Sequence, residues 1–187
     1  MLLLYIGKSG AGKDTMTKRA VASGKKLFVS YTTRPMREGE VDGIDYHFVT
    51  KEEFLELYDK GVIVESRSYN TLVAGVEDTW YYGSPQLDCK EDYVGTATIT
   101  SAMSLIDIYG RENVNVIYVF ADDEIRKARA KKRGSFDETE WNRRLPADEI
   151  DFDIKKLKEL EKKLEHELEK FCNNAAMEEY NDVKGNA

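Results

Sequence analysis

Leu2 to Ile6 is an uninterrupted apolar run of strand length, the pattern of a central parallel strand covered on both faces. From Lys13 to Ala22 the apolar positions change to helical spacing, and Lys25-Lys26-Leu27-Phe28-Val29-Ser30 offers a second strand. Strand, loop, helix and strand in that order predict a right-handed crossover and a doubly wound parallel α/β sheet, with ligands at the carboxyl ends of its strands. Residues 31–84 break the pattern. Charged, turn-forming stretches surround Gly39 and Gly43, a short helix is predicted over Lys51 to Lys60, and Val62 to Ser66 reads as extended, so the stretch is an inserted lobe. The sheet resumes with Tyr93 to Thr100, a helix from about Ser101 to Tyr109, and the apolar strand Val114 to Phe120. Asp122 to Lys132 then reads as a basic helix, and Arg133 to Asp151 is polar, with Gly134 and Pro146 as breakers, which predicts a mobile loop. Ile154, Leu157, Leu160, Leu164, Leu168 and Phe171 recur three and four apart between lysines and glutamates, predicting a long amphipathic helix. The same stripe admits a coiled-coil partner, so monomer and homodimer both stay open. Glu169 to Asn174 is a candidate last edge strand and Ala175 to Val183 a candidate last helix.

Composition narrows the function classes. A chain of 187 residues suits one domain with a small lobe, and 41% apolar with 34% charged residues is ordinary for a soluble enzyme. No run approaches the roughly 18 apolar residues of a membrane span. The first residues lack a basic start and a cleavage site, so they read as a strand rather than a signal peptide, and the cytoplasm is the default location. Cys89 and Cys172 have no metal-site or disulfide spacing and read as reduced thiols. A net charge of −7 disfavours a nucleic-acid binder with a broad positive field, so an anionic ligand needs locally clustered arginines. They are clustered, at Arg34 and Arg37 and again from Arg126 to Arg144.

Between the first strand and the first helix stands Gly7-Lys8-Ser9-Gly10-Ala11-Gly12-Lys13. A glycine-rich turn into a helix aims successive backbone N–H groups and the positive end of the helix dipole at one anion. The loop positions Ser9, Gly10, Ala11, Gly12, Lys13, Asp14 and Thr15 are therefore the candidate binding site for the phosphates of ATP, with Lys13 reaching the β- and γ-phosphates. The P-loop pattern ends in Ser or Thr after the lysine; here that position is Asp14, and the hydroxyl follows at Thr15. Asp14 and Thr15 are the candidate Mg²⁺ contacts, and a structural carboxylate at a helix N-terminus is an equal reading of Asp14.

Paired arginines suit a second phosphate, because each guanidinium offers a fixed bidentate fork. Ser30-Tyr31-Thr32-Thr33-Arg34-Pro35-Met36-Arg37 supplies such a pair. Its continuation from Glu38 to Val49, giving TTRxxRxGExxGxxYxFV, and the later Tyr81-Tyr82-Gly83-Ser84 resemble the acceptor lobe of guanylate kinases, nucleoside monophosphate kinases of the P-loop type. The resemblance implies one domain over residues 1–187, with a core of 1–30 and 85–187, an acceptor lobe of about 31–84 and a helical lid of about 133–151. It implies Mg²⁺-dependent transfer of the ATP γ-phosphoryl group to GMP or dGMP. By position, Arg34, Arg37, Tyr46 and Tyr82 would hold the acceptor phosphate, and Ser30, Glu65 and Ser84 would face the guanine. Glu65 suits that role because one carboxylate can accept from both N1–H and N2–H₂ of guanine. Arg129, Arg133 and Arg144 fall at the spacing of the family's lid arginines, and Asn173 would lie near the donor adenine. The resemblance thus assigns catalysis to Lys13, Arg34, Arg37, Arg133 and Arg144, while Arg126, Lys127, Lys131, Lys132 and Arg143 read as solvated helix charges.

Three departures bear on function. Asp14 replaces the loop serine; the family's acidic DxD after the middle strand is Thr98-Ile99-Thr100, putting Thr98 at a substrate-facing position; and Ser66 to Thr79 is longer than usual beside the expected base pocket. The chain after Arg144-Leu145 also takes a different route to the last strand. Another nucleoside monophosphate, a non-nucleotide phosphorylated metabolite, or a non-catalytic guanylate-kinase-like binding module are the competing readings.

Overall fold

The computed structural model describes residues 1–73, 76–88, 90–132 and 138–173. Its first strand, β1 (Leu2–Ile6), carries Leu2, Leu4 and Ile6 into one buried cluster and Tyr5 into another. Both faces are covered, which is why the run does not alternate with polar residues. Helix α1 (Lys13–Ala22) covers the Tyr5 face through Met16 and Ala20. The second strand, β2, is only Lys26–Leu27. It falls short of Ser30 because the Ser30 carbonyl already accepts from the His47 amide (2.9 Å), so the chain has left for a second sheet.

That sheet comprises β3 (Tyr31–Thr32), β4 (His47–Phe48), β5 (Ile63–Val73) and β6 (Val76–Pro85), in the order β4-β3-β6-β5. Strand β3 runs parallel to β4 and antiparallel to β6, and β5 and β6 form a long antiparallel ladder that contains residues 66–73 and 76–79 of the extended segment. Between β4 and β5 lies helix α2 (Lys51–Asp59). Thr50 and Glu53 cap it reciprocally, each side chain accepting the other's amide. Its Phe54 is buried against Tyr81, with ring centroids 5.6 Å apart.

The first sheet resumes with β7 (Tyr93–Ala97), helix α3 (Ile99–Tyr109), β8 (Val114–Phe120), helices α4 (Asp123–Lys132), α5 (Glu138–Asp151) and α6 (Ile154–Leu164), and β9 (Glu169–Cys172). Its order is β2-β7-β1-β8-β9, with every neighbouring pair parallel. Leu105 of α3 and Leu160 and Leu164 of α6 pack with Leu4, Ile6 and Val116 on the face opposite α1. Helices on both faces of a parallel sheet make this a doubly wound α/β fold. Among the described residues no helix is long and apolar enough to cross a membrane.

Two sequence expectations fail. The polar stretch expected as a loop is, from residue 138 to 151, a helix with Pro146 inside it. Trp141 and Asp148, two turns apart on one face, are both buried and both meet Arg126. That anchoring outweighs the roughly 3 kcal/mol that an interior proline costs a helix. The long amphipathic helix also stops at Leu164, where Glu165 takes a left-handed conformation (φ 60°) and pairs with Arg111. Leu168 enters the core from the turn beyond, and Phe171 lies exposed in β9. Leu160 and Leu164 are packed into the chain's own core. Arg133 and the candidate helix Ala175 to Val183 lie outside the described residues.

Candidate active site

The glycine-rich loop leaves β1 at the carboxyl end of the sheet and enters α1 through Gly12, which has a left-handed conformation and gives no side-chain cap. The first-turn N–H groups of α1 thus lack the acceptor an Asp or Ser cap would supply, the condition for binding an anion. Gly7 is dictated by close approach to backbone, and Gly12 by its left-handed conformation (φ 101°). A Cβ on Gly7 would lie 2.1 Å from the Val119 carbonyl oxygen, and one on Gly12 would lie 2.1 Å from Nδ2 of Asn173. Lys13 Nζ reaches back across the loop, donating to the Gly7 carbonyl (2.7 Å) and the Lys8 carbonyl (3.2 Å). Asp14 and Thr15 stand exposed on the first turn of α1.

Two side chains brace the far side of the loop. Asn173 donates through Nδ2 to the Ala11 carbonyl (2.8 Å), and Arg129 donates to the same carbonyl (3.2 Å) and to that of Asn173. Ser9 is held from the lid side: its amide donates to Oδ2 of Asp148 (2.9 Å) and its hydroxyl to Oδ1 (3.2 Å). Behind Asp148 lies Arg126, which is fully buried and so is not the solvated charge the sequence suggests. Its guanidinium donates to the Ser9 carbonyl (2.8 Å), Asp148 (3.0 Å) and Asp123 (2.8 Å), over the face of Trp141. The bond from Arg126 also holds the Asp123 carboxyl below its usual range.

A cavity of about 290 Å³ opens from this loop between the two sheets. Gly7, Ser9 and Lys13 line it at the loop; Ser30, Tyr46, Glu65, Arg67, Tyr82, Ser84, Thr98 and Ser101 line it elsewhere, together with Asp45, Asp148 and Asp151. Glu65 is buried and fixed by two hydroxyls, Ser84 donating to Oε2 (2.6 Å) and Ser101 to Oε1 (2.9 Å). Each oxygen keeps a second lone pair, so the carboxylate still offers two parallel acceptors to a ligand. Thr98 caps α3, its hydroxyl accepting from the Ser101 amide (3.2 Å), so it shapes the wall as well as lining it.

Tyr46 and Tyr82 meet edge to face (6.0 Å) on the cavity wall. Burial pushes the Tyr46 hydroxyl up, as does the Tyr82 phenol, while Arg67 and Arg34 act in the opposite direction. Arg34 sits behind this wall, its guanidinium 5.5 Å from the Tyr46 centroid and bidentate to Glu40 (3.0 and 2.8 Å). Arg37 is exposed and gives its amide to the same carboxylate (2.7 Å). Of the lid arginines, Arg133 lies outside the described residues and Arg144 lies on α5, with its side chain outside what is described.

The sequence reading did not single out Arg67, Ser101 or Asp148. Arg67 is two residues beyond Glu65 on one strand, hence on the same face, and Ser101 is three beyond the cap Thr98; both spacings are visible in the sequence. Asp148 carries no local signal, since only the fold brings it to Ser9.

A parallel sheet whose first strand delivers a glycine-rich loop to a helix N-terminus, with a second cavity wall facing that loop, defines a P-loop protein of the α/β class. The guanylate kinase family model matches residues 1–79. The chain is 30% identical over 151 residues to the guanylate kinase of Chlorobium luteolum, a match covering 77% of this chain and 73% of that protein. It is 36% identical over 153 residues to the guanylate kinase of Nitratidesulfovibrio vulgaris, covering 78% and 70%. In fold it is similar to the crystal structure of guanylate kinase from Anaplasma phagocytophilum, with a TM-score of 0.53 at 20% identity over 99% of this chain and 82% of that one. The chain belongs to the guanylate kinase family.

Proposed function

We propose that this protein transfers the γ-phosphoryl group of ATP to GMP or dGMP. The observation that carries the reading is the single cavity that joins Lys13 at one end to the doubly fixed Glu65 carboxylate at the other. Guanine presents N1–H and N2–H₂ on one edge, and Glu65 offers the two acceptors that pair with them; adenine lacks that pair of donors. Ser30 and Ser84 complete the base end, and Arg34, Arg37, Tyr46 and Tyr82 the phosphate end. The acceptor phosphate is already an anion, so no general base is asked of the chain. Its residues position two phosphates in line and stabilise the charge between them, Lys13 turning from the Gly7 carbonyl to the ATP phosphates.

Mg²⁺ fits the donor end in the manner usual for that ion, held by nucleotide phosphates and water with one or two protein oxygens. Asp14 and Thr15, exposed on the first turn of α1, would supply those oxygens, and the ion would offset the negative charge of the transferred phosphoryl group. Residues 1–30 and 85–187 act as core, about 31–84 as acceptor lobe and about 133–151 as lid, with Arg129, Arg133 and Arg144 serving the phosphates and Asn173 the donor nucleotide.

Steady-state kinetics of Lys13→Ala and Glu65→Gln test the assignment. Lys13→Ala is expected to lower kcat at least a hundredfold, in line with about 3 kcal/mol of lost transition-state stabilisation. Glu65→Gln is expected to raise KM for GMP with KM for ATP within about twofold. Full activity in Lys13→Ala, or an unchanged GMP KM in Glu65→Gln, would refute the reading.

A further inference from the structure

We propose that Arg67 is an acceptor-phosphate ligand of this protein, its guanidinium receiving the monophosphate of the nucleotide whose base lies against Glu65. The inference rests on the acceptor site proposed above and adds a residue to it.

Register carries the argument. Glu65 pairs with Ser84 and Arg67 with Tyr82 across the β5–β6 ladder. Side chains two apart on a strand share a face, so these successive cross-strand pairs form one wall of the cavity, and all four residues line it. The two pairs lie about 7 Å apart along the strand. A base held at the Glu65–Ser84 pair therefore directs its ribose and phosphate along the wall toward Arg67, Tyr82 and Tyr46.

Charge gives the same answer. The acidic side chains on the cavity lining are Asp45, Glu65, Asp148 and Asp151, and the basic ones are Lys13, at the donor end, and Arg67. Of the basic side chains on that lining, Arg67 is the one on the wall that carries Glu65 and Tyr82. Arg34 stands behind Tyr46 with three of its five N–H groups on Pro35 and Glu40, so Arg67 adds to the Arg34 and Arg37 pair a fork on the lining itself. Arg67 lies with its guanidinium carbon 5.1 Å from the Tyr82 centroid. Stacking on that ring holds the planar fork near one orientation, suited to two phosphate oxygens at once.

The test is calorimetric binding to the wild type, Arg67→Gln and Arg67→Lys of four probes: GMP, guanosine, AMP and adenosine. Glutamine keeps the stem over Tyr82 and removes the charge, and unchanged Mg·ATP binding reports that the fold is intact. Arg67→Gln is expected to weaken the monophosphate that binds by about ten- to a hundredfold, leaving its nucleoside within about twofold; Arg67→Lys is expected to recover part of the loss, since charge returns without the fork. Equal losses for nucleoside and nucleotide would make Arg67 a packing partner of Tyr82 and overturn the proposal, as would an unchanged nucleotide affinity. Binding of AMP in preference to GMP would refute the guanine assignment while leaving Arg67 decided by the adenine pair. If the wild type bound none of the four, both readings would fall.

Discussion

Arg34 and Glu40 tie the acceptor loop to the wall behind Tyr46, and their pairing gives that loop a pH dependence. Burial pushes the Glu40 carboxyl up, but the bonds from Arg34 and from the Arg37 amide outweigh it and hold the carboxyl below its ordinary range. A carboxyl with a lowered folded value stabilises the protein when ionised. The contribution is complete above the unfolded value of about 4.3 and is lost as pH falls from there through the folded value. In urea denaturation Glu40→Gln should be less stable than the wild type near neutral pH, with the difference shrinking as the pH drops toward about 3. A difference constant over that range would contradict the pairing. The same scale separates what the sequence discloses from what it hides. Glu65 is found through the family resemblance at the end of an apolar strand run; Arg67, two residues on, is within reach of the same spacing, but the polar stretch beyond Ser66 gives no alternation to mark it as facing a site.

Helix α5 is the element whose form depends most on distant residues. Its own sequence contains a proline and little apolar surface, and its burial depends on Trp141 and Asp148 meeting Arg126 of α4. Asp148 also holds Ser9, so the same anchor sets the outer edge of the phosphate loop. Removing Asp148 strips the fully buried Arg126 of one of its two carboxylate partners and leaves Asp123 as the other, and breaking a buried pair from one side costs up to about 3 kcal/mol. Asp148→Ala is thus expected to lower unfolding stability by up to that amount, and Arg126→Leu in the same chain to restore part of it. Strictly additive losses in the two single variants would show that the pair is not coupled. The sequence reading fails at this element because its decisive contacts are long-range: Arg126 sits among lysines in a basic helix, where solvation is the ordinary fate of a charge. It fails at α6 for a related reason, since Leu168 continues a helical spacing although Glu165 has already turned the chain.

At the scale of the molecule, the parallel sheet was legible from its apolar strands and the loop after the first of them, and the inserted lobe from the break in that pattern. The lobe's own topology was not legible, because β3 and β4 are two residues each and take their order from pairing rather than from sequence. The two sheets together place an ATP-type phosphate loop against a wall that ends in a fixed carboxylate, inside a chain of net charge −7. Selectivity in such a protein resides in the cavity and not in its overall field. The most direct measurement is the initial rate of ADP formation with Mg·ATP and each of GMP, dGMP, AMP, CMP and UMP. Turnover with GMP or dGMP is expected at least a hundredfold above the other three; turnover of AMP or a pyrimidine nucleotide without GMP or dGMP would overturn the guanylate kinase assignment.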